Sequence, residues 1–456
     1  MDGRTYWDPE IETRPWSETV AWQVEHLPAY VRRLQERSLL YRDRLTGVDA
    51  GAITSLEMLA ELPTTEKDDL RRGQAAPGTP LLGLQQAAPT EDVVQVITSS
   101  GTTGGPVYFG LTAADLAAWR RSIATMFFTA GVRRGTTTAL STAMPLVAGG
   151  MPYADGIRET GTTLAWIGGQ TTARMASAMD RLRVDTLVGT ASFASFFAEK
   201  VTELLGRDAS TLPVRTVIGG GEPGFGQPEI RSRIQELWGA ERVSEVMGLG
   251  DVCSGVWGEC EAGEGMHLTA GRHVLVELID PATGEPRPWV EGGEGEAVYT
   301  TFTREATPVL RFRSRDHVVV TGTGCSCGRR TPRIRCIGRT DDMLIYKAMN
   351  VFPSSIRDIA VAEGGALIDD VVRVRKAAAN QVRFDDPIPV ELQTRFSVAP
   401  GVLADLAARI EERVRQELRV RVAVEAYPPG TFDRGMYKNA LTYVAAHRPE
   451  AAPLPS

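Results

Sequence analysis

Residues 98–110 read TSSGTTGGPVYFG. An unbroken run of hydroxylated residues and glycines stands between two β-prone segments, VVQVI before it and PVYF after it. Small residues let successive backbone N–H groups converge on an anion, and the hydroxyls add further donors; together they suit a polyphosphate. The run is not a GxxxxGK[ST] nucleotide loop, because no Gly-Lys-Ser/Thr follows and the next segment reads as a strand. A plain glycine-rich hairpin stays open at this point, although the run is longer than a turn requires.

Over residues 90–220, short β-branched runs (TTTALSTA, TLAWIG, DTLVGT, VRTVIGG) alternate with helical stretches such as TTARMASAMDRLR and ASFASFFAEKVTELLG. This alternation predicts a parallel sheet covered by helices. Upstream, Val20, Trp22, Val24, Leu27, Val31 and Leu34 recur with helical period within residues 17–46, which predicts an amphipathic helix laid on a core. Between 270 and 335 the pattern changes to strands and turns (HVLVELIDPATGEP, GEAVYTTF, VLRFRSRDHVVVTG), a β-rich subdomain. Beyond IGRTDD at 337–342 lie the strand-like VVRVRK, IPVELQTRFSV and VAVEAY and one amphipathic helix, GVLADLAARIEERVRQEL. The expected fold class is α/β: a large N-terminal domain of helix-covered β-sheets with a β-rich subdomain, residues 1–339, and a small α+β domain, residues 340–456.

With 456 residues, 43% of them apolar, the chain can bury a large core and a second domain. A net charge of −7 provides no basic footprint, so nucleic acid is not an expected partner. No apolar run approaches the roughly 20 residues of a membrane helix, and MDGRTYWDPE lacks a signal-peptide core; no membrane partner and a cytoplasmic location are expected. Five unevenly spaced cysteines do not read as a disulfide framework. Of 50 lysines and arginines only five are lysines (Lys67, Lys200, Lys347, Lys376 and Lys438), so any motif that needs a lysine has few candidates.

SSGTTGGP resembles the phosphate loop of the adenylate-forming enzymes, which activate carboxylic acids with ATP. Within that superfamily, YWDPEIET, GECEAGEGMH, TPVLRFRSRD, CSCGRRTPRIRCIGRTDDMLIYKAMNVFPSSI and the segment around the last lysine are similar to the phenylacetate-coenzyme A ligase branch. The resemblance spans nearly the whole chain in the expected order, and Cys325 to Ile356 is its most specific block. It implies ATP, Mg²⁺ and coenzyme A as reactants and cofactors, and a C-terminal domain that is mobile between two half-reactions.

The resemblance also implies roles. Thr98, Ser99, Ser100, Gly101, Thr102, Thr103 and Gly104 would hold the β- and γ-phosphates. Gly221, Glu222 and Pro223, in GGGEPG, would lie against adenine. MGLGD at 247–251 occupies the place of an aromatic-Gly-x-Ser/Thr-Glu motif that holds Mg²⁺, with Met247 for the aromatic residue and Asp251 for the glutamate. Asp316 matches a ribose-binding aspartate, Arg339 an arginine near ribose and phosphate, and Lys438 the catalytic lysine. Asp341 matches the hinge, and YKAMNVFP would form part of the rotated face. Met144, Tyr153, Gly219, Gly220 and Gly248 fall at acid-pocket positions. Gly105 stands where many relatives carry a lysine, which implies weaker ATP binding and an apparent KM that Gly105→Lys would lower. Any one of these residues alone would more often be a solvated surface group; their shared placement in the motifs singles them out.

Cys260-x6-His267 and Cys325-Ser326-Cys327 supply three thiolates and one imidazole, the ligand set of a closed tetrahedral zinc site. Isolated buried thiols are the alternative. Both pairs flank the β-rich subdomain within segments that resemble the family, so structural Zn²⁺ is expected, and Cys253 and Cys336 are expected in the core. The leading function is AMP-forming ligation of an aromatic or similarly compact carboxylic acid to coenzyme A. Transfer to a carrier protein in trans or to an amine stays open, as does homodimer formation. A degenerate nucleotide-binding protein stays open because Gly105, Met247, Gly250 and Asp251 depart from the pattern.

Overall fold

The computed structural model describes residues 4–99, 106–143, 146–221, 225–340, 342–347, 349–378, 381–432 and 441–444. The chain divides into two compact units: Met1–Gly221 with Arg231–Arg335, and Glu222–Ile230 with Cys336–Ser456. The division at 335/336 falls shortly before the 339/340 joint read from the sequence.

The first unit opens with helices α1 (Pro9–Glu12), α2 (Trp16–Arg37), α3 (Leu39–Arg44), α4 (Leu56–Ala60) and α5 (Lys67–Ala75). α2 is the expected amphipathic helix, and Leu27, Val31 and Leu34 form its buried stripe. β1 (Val93–Thr98) and β2 (Tyr108–Thr112) then pair antiparallel, with Thr98 opposite Tyr108. The glycine-rich run therefore connects two strands.

After α6 (Ala113–Ala130) the expected alternation follows: β3 (Thr137–Leu140), α7 (Met151–Glu159), β4 (Thr163–Trp166), α8 (Thr172–Arg181), β5 (Thr186–Gly189), α9 (Ala191–Leu205), β6 (Thr216–Gly219), α10 (Pro228–Trp238) and β7 (Arg242–Leu249). Strands β4, β3, β5, β6 and β7 lie side by side and parallel. Local chemistry marks the helix ends. Thr112 and Asp115 form a reciprocal capping box on α6, Thr190 caps α9, and Gly131 and Gly206 end these helices in the left-handed conformation.

The sheet continues with β8 (Cys253–Glu259), β9 (Met266–Leu268), β10 (Val274–Ile279), β11 (Glu294–Thr301), β12 (Phe312–Gly322) and β13 (Arg333–Arg339). Their order is β10-β11-β12-β13-β9-β8-β7, antiparallel at β7–β8, β8–β9, β9–β13, β11–β12 and β10–β11. The β-rich stretch at 270–335 is thus hydrogen-bonded onto the parallel half, and the β7–β8 turn marks the change of direction. α6 crosses β8 so closely that only glycine fits: a Cβ on Gly255 would stand 2.6 Å from Ile123 Cα, and one on Gly258 2.9 Å from Met126 O.

The second unit contains β14 (Leu344–Tyr346), β15 (Met349–Val351), α11 (Pro353–Gly364), β16 (Ile368–Lys376), β17 (Arg383–Phe384), β18 (Ile388–Thr394), α12 (Pro400–Leu418), β19 (Val422–Tyr427) and β20 (Thr442–Val444). Its sheets run β15-β14-β17 and β19-β18-β16-β20. Ile356, Ile359 and Ala360 of α11 and Leu406, Ile410 and Val414 of α12 share one core with Val372, Val374, Val390 and Leu392. The sequence pattern predicted one helix here. α11 is a second one, opened by Pro353 in the first turn, where a missing N–H does no harm. Among the described residues no helix is long and apolar enough to cross a membrane.

Candidate active site

Ligands of open α/β sheets bind at the carboxyl ends of the strands, and here that edge gathers the glycines and an acidic turn. β6 ends in Gly219, followed by Gly220 and by Gly221 at φ +84°. β7 carries Gly248 and runs into Gly250 and Asp251. β1 reaches the same edge: the Thr98 N–H donates to Leu146 O at 2.7 Å, and Thr98 bridges Val147 in parallel sense just beyond β3. A Cβ on Gly250 would stand 3.4 Å from Thr98 O and 3.6 Å from Ser99 Cα. The root of the glycine-rich run and the Asp251 turn therefore touch.

Both groups are buried and poised. The Ser99 hydroxyl and Asp251 Oδ1 have no hydrogen-bond partner among the described residues. A buried carboxylate oxygen in that state is costly unless a cation faces it; Lys67 Nζ does so at 3.4 Å. This oxygen, beside the root of the glycine-rich run, fits a hard divalent cation. Lys67 is placed by its neighbours. Glu66 and Asp69 form a capping box on α5, the Thr65 N–H donates to Arg311 O at 3.0 Å, and the Arg313 N–H donates to Thr65 O at 2.9 Å. Lys67 was not singled out from the sequence, and its one signal there is the scarcity of lysine.

Arg304, only 3% exposed, clamps the Asp251 turn from behind. Its Nη1 donates to Val252 O at 3.1 Å and Asp251 O at 3.4 Å, and its Nη2 to Gly110 O at 3.3 Å. The guanidinium also lies 4.9 Å from the Trp119 ring centre and 5.4 Å from that of Phe109. Burial lowers its pKa, and the carbonyls and ring faces compensate the buried charge.

Asp316 is buried in β12, next to Arg315, a non-glycine residue at φ +66°. Arg315 Nη2 donates to Glu66 Oε1 at 2.6 Å. Consecutive residues Glu66 and Lys67 thus reach the Asp316 and Asp251 segments. The Tyr153 ring, on α7, stands edge-on to Phe127 of α6 with centroids 5.0 Å apart. Arg339 ends β13. Ser100, Gly101, Thr102, Thr103, Gly104, Gly105, Met144, Glu222, Pro223, Asp341 and Lys438 lie outside the described residues.

A second constellation lies elsewhere in the first unit. Cys260 follows β8, His267 is in β9, and Cys325 and Cys327 are in the turn between β12 and β13. The sheet order brings them together: their four ligand atoms lie within 4.8 Å of one another. Cys260 Sγ is 3.6 Å from Cys325 Sγ, and Cys327 Sγ is 3.6 Å from His267 Nε2. In a tetrahedral site with Zn–S bonds of ~2.3 Å the sulfurs stand about 3.7 Å apart, so these residues can hold a metal ion as they stand. Thr331 holds the imidazole from its far side, with its carbonyl 3.3 Å and its hydroxyl 3.4 Å from His267 Nδ1, while Nε2 faces the Cys327 thiol.

The contact with Cys260, and then His267, draws the Cys327 pKa down, whereas the same contact and burial push Cys260 up. One thiolate is already favoured. The turn is pinned to the N-terminal segment by the buried Arg329–Glu12 ion pair at 2.7 Å and by the Tyr6 hydroxyl, which donates to Cys327 O at 3.1 Å. Cys253 is buried, its thiol pushed up to about 11 by that burial. Cys336 is only half-buried, since it sits near the end of β13 rather than in the core.

The mixed sheet, the root of the glycine-rich run against an acidic turn, and known relatives together define an AMP-forming acid:CoA ligase of the adenylate-forming class. No family model matches the chain. It is 32% identical over 443 residues to the phenylacetate-coenzyme A ligase of Thermus thermophilus, covering 94% of this chain and 96% of that one. It is 31% identical over 362 residues to the phenylacetate-coenzyme A ligase of Escherichia coli, covering 78% and 79%. The crystal structure of 2-hydroxyisobutyryl-CoA ligase in the postadenylation state, in complex with 2-HIB-AMP, matches with a TM-score of 0.87 and 25% identity over 97% of this chain and 93% of that chain. The chain belongs to the phenylacetate-coenzyme A ligase family.

Proposed function

We propose that the protein activates a compact aromatic carboxylic acid with ATP, forming an acyl-adenylate, and passes the acyl group to coenzyme A in the cytoplasm. The observation that carries this reading is Asp251 Oδ1, buried beside Ser99 and faced by Lys67 at the carboxyl edge of the parallel strands. The names of the curated relatives favour an aromatic acid.

In the first half-reaction a carboxylate oxygen of the acid bonds to the α-phosphorus, and the bond to the bridging oxygen breaks to release pyrophosphate. Two anions meet and charge grows on the leaving group, so cations and aligned donors lower the barrier. Residues 98–104 hold the β- and γ-phosphates, Gly221, Glu222 and Pro223 lie against adenine, and Asp316 and Arg339 hold the ribose side. Asp251 would hold Mg²⁺, which supplies charge neutralisation on the phosphates. Lys67 contributes, from a separate helix, a cation of the kind that Gly105 does not provide. Lys438 reaches the α-phosphate and the attacking carboxylate. The domain 340–456 then turns at Asp341 and withdraws Lys438. The coenzyme A thiolate bonds to the acyl carbon as the bond to the AMP oxygen breaks. Cys260, His267, Cys325 and Cys327 would hold a zinc ion in a closed ligand set, a structural role.

Asp251→Asn is expected to lower ATP–pyrophosphate exchange about 100-fold and shift its Mg²⁺ titration to higher concentration. An unchanged Mg²⁺ titration would sink this assignment. Lys67→Ala is expected to raise the apparent KM for ATP roughly tenfold, with less effect on kcat. Exchange with a panel of aryl and alkyl acids tests the substrate class, and a higher kcat/KM for alkyl acids overturns the aromatic reading. Mass spectrometry of products formed with coenzyme A, a carrier protein or an amine identifies the acceptor.

A further inference from the structure

β11 and β12 do not pair evenly. Glu296 opposes His317 and Val298 opposes Arg313, so Ser314, Arg315 and Asp316 together face the single residue Ala297. Two extra residues on one strand make a special bulge, a device that re-aims side chains at functional edges. The bulge is held by short polar contacts: Ser314 Oγ donates to Ala297 O at 2.8 Å, and the Asp316 N–H donates to Ser314 Oγ at 3.0 Å. Arg315 pays for it with the left-handed backbone at φ +66°, which a non-glycine residue keeps only when its surroundings impose it.

What imposes it is Glu296, whose side chain is 0% exposed. Its carboxylate receives Arg313 Nε at 3.1 Å and Nη2 at 2.7 Å, a bidentate pair that leaves the guanidinium more firmly protonated. It also accepts the Arg315 backbone N–H at 3.3 Å, with Arg315 Nη1 3.7 Å away. One buried carboxylate therefore binds the residue before the bulge and the residue at its strained apex. Arg315 reaches on to Glu66 at 2.6 Å. The sum of these contacts fixes Asp316 at the far end of the bulge. A carboxylate at 0% exposure is costly to bury, and two guanidinium groups with a backbone donor offset that cost.

We propose that Glu296 is the positioning residue of the ribose site: it holds the two-residue bulge that presents Asp316 to the ribose hydroxyls of ATP. This rests on the assignment of Asp316 to ribose. Glu296 touches no substrate, and its loss should be read as lost discrimination between nucleotides that differ in a ribose hydroxyl. The Mg²⁺ requirement, set at Asp251, should not change.

The test is ATP–pyrophosphate exchange with ATP and with 3′-deoxy-ATP and 2′-deoxy-ATP. The ratio of kcat/KM values for two nucleotides is independent of the fraction of enzyme that is folded, so a purely structural defect does not move it. Glu296→Gln is expected to raise the apparent KM for ATP and reduce the preference for ATP over at least one deoxynucleotide roughly tenfold, toward the value of Asp316→Ala. Arg313→Lys, which keeps the charge but loses the bidentate pair, is expected to reduce it less, and serves if Glu296→Gln does not accumulate. If Asp316→Ala abolishes the preference while Glu296→Gln and Arg313→Lys retain it, Glu296 has no positioning role. If Asp316→Ala itself retains the preference, the ribose assignment fails and this inference with it.

Discussion

Lys438→Ala is expected to lower ATP–pyrophosphate exchange by on the order of a thousandfold, while thioester formation from supplied acyl-adenylate and coenzyme A stays within about threefold of the unmodified protein. The asymmetry follows from the chemistry. Adenylation brings a carboxylate to a polyphosphate, so a cation that meets both in the transition state accounts for a large share of the rate. Thiolate attack on the finished adenylate needs no charge at the acid oxygen, and the domain carrying Lys438 presents another face by then. Lys438→Arg should recover little, because a planar guanidinium does not reproduce a compact ammonium between two oxyanions. Equal loss in both half-reactions would contradict the assignment.

Removal of the metal from the cysteine–histidine cluster is the second large effect. Metal analysis is expected to find zinc at about one equivalent per chain, and Cys327→Ser or chelation to remove it. Unfolding midpoints should then fall by on the order of 5–10 °C, because an ion held there would tie the end of β8, the strand β9 and the β12–β13 turn together. Cys260 Sγ and Cys325 Sγ, 3.6 Å apart, then lose the cation that would bridge them. Exchange rates measured well below the midpoint should change by less than about twofold, since a closed ligand set leaves no coordination position for a substrate. No stoichiometric zinc in untreated protein overturns the structural-zinc reading, and a large rate loss at low temperature overturns the claim that the ion only stabilises.

Much of this was legible in the sequence where the signal is local. The β-branched runs between residues 137 and 249 alternate with capped helices and fold as the parallel half of the sheet. The two cysteine-bearing pairs were visible, but only the strand order β12-β13-β9-β8 joins them, and strand order is not written in spacing. α11 was missed because VFPSSIRDIAVAEGG mixes a proline with β-branched residues, and its helical stripe is only Ile356, Ile359 and Ala360. Glu66, Lys67, Glu296 and Arg304 were missed for a different reason. Each acts on a partner brought close by the fold, and a charged residue outside a motif looks the same in sequence whether it is solvated or aimed at a site.

The first turn of α5 places a constraint of length on this enzyme. Glu66 reaches Arg315 and, one residue later, Lys67 reaches Asp251, while Thr65 is fastened on both sides to the backbone of Arg311 and Arg313. Helical residues advance by about 100° each. A residue inserted between Thr65 and Glu66 would therefore swing both side chains away together, with Thr65 still anchored. Substitutions in this short segment can be graded, one contact at a time. Changes of chain length there cannot, and natural or engineered variation should be confined to the exposed stretch that follows α5.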